Sequence, residues 1–180
     1  RIDAVIRRIM DFSKPSEPKL ILCDINIPVE DAVRLAGVTL RKAWIRVEKD
    51  LAPEKSLCKL DPQMIEQVLL NLITNAAEAM QGSGGEKRIA VSSSIAPGHV
   101  AVRVADSGPG IPQHLRGKIF DPFYTTKSDS TGIGLSICHR IISDHKGYLR
   151  VDENTLGGAD FIIELPLVRQ EEMPEQRSGS

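Results

Sequence analysis

Between Asp61 and Gln81, apolar residues fall at Ile65, Val68, Leu69, Leu72, Ile73, Ala76 and Met80, the three- and four-residue spacing of one face of an α-helix. Asp61-Pro62 predicts where that helix starts, as an N-cap followed by proline in the first turn. Gly82-Ser83-Gly84-Gly85 predicts where it ends. The same periodicity predicts a helix through Ile2, Val5, Ile6 and Ile9, another from about Pro28 to Lys42, and a third from Gly132 to His145. Short β-prone runs predict strands at 19–24, 43–49, 56–60, 87–95, 99–105, 147–151 and 160–165. Ala96-Pro97-Gly98 reads as a hairpin turn, and the stretch from Asp106 to Thr131 as loop, with a short helical piece near Gln113 to Lys118. Hairpins interleaved with helices imply an α+β fold: a two-layer sandwich with one mixed β-sheet packed on helices, not a doubly wound parallel sheet.

Composition narrows the function classes. Apolar residues make up 41% and charged residues 26%, with a net charge of −1, so neither a non-specific nucleic-acid surface nor a membrane-surface charge is present. Aromatics are only 4%, so the core must be built from Ile, Leu, Val and Ala. No apolar run reaches transmembrane length and no signal peptide opens the chain. The chain begins inside an apparent helix, as a piece of a longer protein would. Cys23, Cys58 and Cys138 are odd in number and form no C-x-x-C pair, which reads as buried, reduced thiols.

A polar line breaks the apolar helix. Gln67, Asn71, Asn75 and Glu78 share one face, because steps of four and three return to the same side. Asparagine is a poor helix former, since its amide competes with the backbone. Two of them one turn apart suggest a site, and amide oxygens are suitable hard ligands for Mg²⁺.

Downstream lie three loop motifs. Asp106-Ser107-Gly108-Pro109-Gly110 follows a strand: its glycines admit a ligand close to the backbone, and its carboxylate can accept from an exocyclic amine such as that of adenine. The run from Ile119 to Lys127 gathers Phe120, Phe123 and Tyr124, which predicts an apolar cluster pinning the loop, with Lys127 beyond it available to phosphate. Thr131-Gly132-Ile133-Gly134-Leu135-Ser136 opens a helix whose unpaired N–H groups suit a phosphate. No G-x-x-x-x-G-K-[ST] loop occurs, and the third glycine of a dinucleotide fingerprint is missing.

In this order and spacing the motifs resemble the catalytic ATP-binding domain of bacterial sensor histidine kinases, within the GHKL superfamily. Asn71 to Met80 is similar to the N box, Asp106 to Gly110 to the G1 box, Phe120 to Lys127 to the F box, and Gly132 to Leu135 to the G2 box. The resemblance implies that ATP and Mg²⁺ are bound, with Asp106 holding the adenine amine, Asn75 coordinating Mg²⁺, and Asn71 at phosphate or metal. It implies that Gly108, Gly110, Gly132 and Gly134 keep backbone close to the nucleotide, with Thr131, Ile133 and Leu135 beside them. Phe120 to Thr131 would form a mobile lid, and Asn71 and Lys127 would be the catalytic residues. It also implies a division into residues 1–14, the end of a dimerisation and histidine-phosphotransfer helix; 15–168, the catalytic ATP-binding domain; and 169–180, a polar tail. The partners implied are that dimerisation domain and a response regulator, in the cytoplasm, with no nucleic acid and no direct membrane contact.

Two positions depart from the family pattern. Glu78 stands where a lysine is common, a charge that Lys127 would replace, and Asp160 stands where a small hydroxyl residue is common, so it is left out of the site. Alternative functions are an ATP-driven clamp or chaperone and a serine kinase. Hydrolytic relatives and serine kinases place glutamate at the position of Asn71, and an amide is no general base, so Asn71 favours transfer to a histidine.

Overall fold

The computed structural model describes residues 17–124 and 133–169. In chain order these are β1 (Ile21–Asp24), α1 (Asn26–Lys42), β2 (Ile45–Asp50), β3 (Leu57–Leu60), α2 (Pro62–Ala79), β4 (Lys87–Ala96) and β5 (His99–Asp106). A short 3-10 turn (Gln113–Leu115), α3 (Gly134–Asp144), β6 (Tyr148–Glu153) and β7 (Ala159–Pro166) follow. The helix expected at Ile2 to Ile9, residues 170–180 of the expected polar tail, residues 125–131 of the expected lid, and Gly132 lie outside the described residues.

The main sheet has five strands in the order β2-β4-β5-β7-β6. β2 runs parallel to β4, and the remaining neighbours are antiparallel, so the sheet is mixed as expected. β1 and β3 pair only with each other, as a separate two-stranded antiparallel ribbon. Both are four residues long, and nothing in so short a run marks which neighbour it will choose. Between α1 and β2 the structure also departs from the expected strand start at Ala43. Ala43 caps α1, and Trp44 turns the chain with φ 57° while 90% exposed.

The packing follows the periodicities. The predicted apolar face of α2 is buried throughout, from Ile65 to Met80. Each such side chain contributes about 1.5–3 kcal/mol, against roughly half a kcal/mol of helix propensity lost at each asparagine, so burial decides that the segment is helical. Asp61 caps it, its Oδ1 accepting from the N–H groups of Gln63 (3.1 Å) and Met64 (3.3 Å). α1 packs on β2 and α2, α2 on β5, and α3 on α2 and β6, placing the helices on one face of the sheet. β5 turns Val100, Val102 and Val104 into that layer and Arg103 away from it. The opposite face carries ion pairs, Arg88 with Glu48 (2.8 Å), Arg103 with Asp160 (2.8 Å) and Arg150 with Glu164 (3.1 Å).

Candidate functional site

Asp106 continues the alternation that buries Val100, Val102 and Val104, so the next inward position on β5 holds a carboxylate at the strand's end, 2% exposed. A buried carboxylate needs donors, and Oδ1 accepts from the N–H of Gly108 (2.9 Å) and the N–H of Ala159 (3.3 Å). The backbone carbonyl of Asp106 accepts from Asn154 Nδ2 (3.1 Å), whose amide also donates to the carbonyl of Ala159 (2.6 Å). The turn between β6 and β7 therefore buttresses Asp106 from behind.

Glycines make that close approach possible. A Cβ on Gly158 would lie 2.2 Å from the Asp106 carbonyl oxygen and 2.3 Å from Oδ1, so no other residue fits there without rearrangement. A Cβ on Gly108 would lie 2.9 Å from Oδ1. Gly110 has φ +75° and sits against the same turn, where a Cβ on it would lie 3.5 Å from the Gly157 carbonyl oxygen. Neither Gly158 nor Asn154 was among the expected site residues. The Gly157-Gly158 pair is a visible turn signal, but its meeting with Asp106 is a contact between residues far apart in the chain, beside the Ala159 N–H that reaches Asp106 across 53 residues.

α2 links the motifs. Its end touches the loop after β5, with Met80 Cγ and the Ala79 carbonyl 3.4 and 3.5 Å from where a Gly108 Cβ would be. Its middle touches the start of α3, where a Gly134 Cβ would lie 3.7 Å from Asn71 Oδ1. From Asn71 to Ala79 the helix advances roughly 12 Å, so the polar stripe runs from the Gly134 end to the Gly108 end. Asn71 and Asn75 are half-buried on it, with Gln67 and Glu78 exposed at its margins. Asn71 Nδ2 donates to Cys138 Sγ (3.5 Å), while Asn71 Oδ1 and the Asn75 amide have no hydrogen-bond partner among the described residues.

The first turn of α3 begins at Gly134 after the buried Ile133, with Leu135 half-buried beside it. Lys127, Thr131 and Gly132 lie outside the described residues. The aromatic loop is pinned in part as expected. Phe120 stacks on His139 (5.4 Å) and meets Phe161 edge-on (6.4 Å), and Tyr124 packs on the core, whereas Phe123 is 60% exposed with φ 66°. Arg116 holds the stretch between, donating from Nε to the Ile111 carbonyl (3.1 Å) and pairing with Glu153 (3.3 Å).

The donor set is one of hard oxygens. Among the described residues no three His, Cys, Asp or Glu side chains gather where a metal could be held by them alone. A cation on the stripe would instead take amide oxygen from Asn75 and Asn71, with the remaining ligands from phosphate and water, a combination that suits Mg²⁺. Asp160 stands apart from this site on the other face of the sheet, paired with Arg103.

Residues 60–169 match the family described as histidine kinase-, DNA gyrase B- and HSP90-like ATPase. Among curated relatives, the chain is 35% identical over 170 residues to the signal transduction histidine-protein kinase AtoS of Escherichia coli (strain K12), covering 92% of this chain and 27% of AtoS. It is 35% identical over 171 residues to the C4-dicarboxylate transport sensor protein DctS of Rhodobacter capsulatus, covering 94% of this chain and 26% of DctS. The chain thus spans about a quarter of the length of these relatives. Its fold matches the catalytic domain of histidine kinase ThkA with a TM-score of 0.74 at 35% identity, over 83% of this chain and 96% of that one. It also matches ThkA crystallised in complex with the response regulator protein TrrA, with a TM-score of 0.79 at 32% identity, over 93% of this chain and 48% of that one. The chain belongs to the histidine kinase-, DNA gyrase B- and HSP90-like ATPase family, and its fold is that of a histidine kinase catalytic domain.

Proposed function

We propose that this chain binds ATP with Mg²⁺ and transfers its γ-phosphoryl group to a histidine on a separate dimerisation domain, as the catalytic part of a two-component sensor kinase. The observation that carries this reading is Asn71: an amide, not a carboxylate, sits beside the start of α3 with its oxygen unengaged among the described residues. An amide cannot take a proton from water, so hydrolysis has no general base there, whereas a histidine acceptor brings its own nucleophilic nitrogen.

Asp106 would accept from the adenine amine, and the same carboxylate would repel the carbonyl oxygen that guanine carries in its place. Gly108 and Gly110 keep the backbone low around the base, and Gly134, with Gly132, Thr131, Ile133 and Leu135, would cradle the phosphates at the helix start. Asn75 and Asn71 would hold Mg²⁺, which supplies charge neutralisation at the phosphates when bound. Lys127 would add a positive charge from the lid. Holding donor and acceptor in line is then the main work of the domain.

The four histidines, His99, His114, His139 and His145, are followed by Val100, Leu115, Arg140 and Lys146, not by the acidic residue expected beside an acceptor histidine. His145 is buried with both ring nitrogens hydrogen-bonded, and His139 stacks on Phe120. We therefore read the dimerisation domain of the parent as the immediate partner and a response regulator as the next. ATP is a cytoplasmic nucleotide, which places the domain on that side; no helix among the described residues is long and apolar enough to cross a membrane.

The test is radiolabelled ATP incubated with this chain alone and with a separately prepared dimerisation domain of the parent. Acid-labile label should appear on the added domain and not on this chain. Stoichiometric labelling of the chain alone, or steady ATP hydrolysis without an acceptor, contradicts the reading.

A further inference from the structure

The amide of Asn71 has two ends with opposite chemistry, and only one suits a cation. Cys138, one turn into α3, is fully buried against α2. Its Sγ lies 3.9 Å from the Val68 carbonyl, to which the thiol donates, and 3.5 Å from Asn71 Nδ2, from which it accepts. The Val68 carbonyl can only accept, so the thiol proton is committed to it, and the sulfur lone pairs are left for the amide NH₂.

We propose that Cys138 is a positioning residue for Asn71, holding Nδ2 inward against α3 so that Oδ1 is the atom presented to the Mg²⁺–phosphate group. A flipped amide would turn NH₂ toward the cation and leave its oxygen against a sulfur that has no proton to give. The inference rests on the reading of Asn71 as a metal or phosphate ligand. It adds that the helix carrying the glycine motif also sets the orientation of the ligand on the neighbouring helix.

The experiment measures ATP affinity by calorimetry with Mg²⁺ and with chelator, for the unaltered chain, Cys138→Ser, Cys138→Ala, Cys138→Val and Asn71→Ala, alongside a thermal melt of each. Cys138→Ala and Cys138→Val should lose about fivefold of the Mg²⁺-dependent gain in affinity, the scale of one neutral hydrogen bond, with the chelator value unchanged. Cys138→Ser, which keeps a donor and an acceptor, should retain most of it. The Asn71 side-chain amide resonances should shift in the alanine and valine variants and remain near their original positions in the serine variant. If Cys138→Val keeps the full Mg²⁺ dependence while Asn71→Ala loses it, sulfur only fills space and the proposal is overturned. If Asn71→Ala itself keeps the Mg²⁺ dependence, the reading of Asn71 fails and takes the proposal with it.

Discussion

His145 Nε2 accepts a hydrogen bond from the backbone N–H of Asp61 at 3.0 Å, joining the end of α3 to the N-cap of α2. Its Nδ1 lies 2.7 Å from the Ile141 carbonyl, an acceptor, so Nδ1 carries the proton and Nε2 is the bare nitrogen. The two helices run antiparallel, tied by His145 at one end and by Asn71 with Cys138 toward the other. His145→Ala removes both bonds and opens a cavity in a residue 3% exposed. It should cost about 2–4 kcal/mol, read as a lower denaturation midpoint, and ATP affinity should fall with it as α3 loses its anchor on α2. A midpoint within error of the unaltered chain would show that the tie is incidental.

Gly157 and Gly158 are neighbours with opposite requirements. A Cβ on Gly158 collides with the Asp106 backbone and carboxylate, whereas one on Gly157 meets nothing within 4 Å and is strained only by φ +89°. Gly157→Ala should therefore cost about 1 kcal/mol and leave ATP binding nearly intact. Gly158→Ala should displace Asp106 and abolish detectable binding. Similar titration curves for the two variants would refute the buttressing role given to this turn.

Asp160 tests whether burial or its ion pair dominates. Burial raises its carboxyl pKa above the usual 3.8 and outweighs the opposing pull of Arg103. The folded state then holds the proton more tightly than the unfolded chain. The favourable contribution is present below the unfolded value and is lost as pH rises through the folded value. Asp160→Asn should thus melt no lower than the unaltered chain at pH 7, with the two curves converging below about pH 4. A clearly lower melt at pH 7 would mean that the Arg103 pair is worth more than the burial costs.

Cys58 gives a second sign at the alkaline end. Burial, then the charge of Asp24, pushes its thiol up from 9.0 to about 12. Above pH 9 the unfolded chain releases this proton and the folded chain does not, so stability falls as pH rises toward 12, by ~1.4 kcal/mol for each pH step in that window. Cys58→Ala adds a constant cavity cost at every pH but should flatten that slope. Equal slopes for the two proteins between pH 9 and 11 would count against it. In the same way, a thiol reagent at pH 8 should reach half-buried Cys23 well before Cys58 or Cys138.

Local chemistry made much of this readable from the chain. The cap at Asp61, the apolar face from Ile65 to Met80 and the Pro97-Gly98 turn are each written within a few residues, and the structure places them as expected. What the sequence does not display are meetings between distant residues. Cys138 reads as a plain buried thiol until the fold brings it to Asn71, 67 residues away. Gly158 reads as a turn glycine until Asp106 is found against it. The β1–β3 ribbon and the left-handed Trp44 were missed for a related reason: their conformations are set by what the neighbouring elements leave them, not by glycine or proline at the site.

The central claim, an ATP site read through Asp106, is tested most directly by calorimetric titration of this chain and of Asp106→Asn with ATP and with GTP in Mg²⁺. ATP should bind the unaltered chain well and GTP far more weakly, because the carboxylate meets an amine in one and a carbonyl oxygen in the other. Asp106→Asn should weaken ATP by about 2 kcal/mol, or roughly thirtyfold, the scale of a charge-assisted hydrogen bond. Equal affinity for ATP and GTP, or an Asp106→Asn variant that binds ATP like the unaltered chain, would contradict the account.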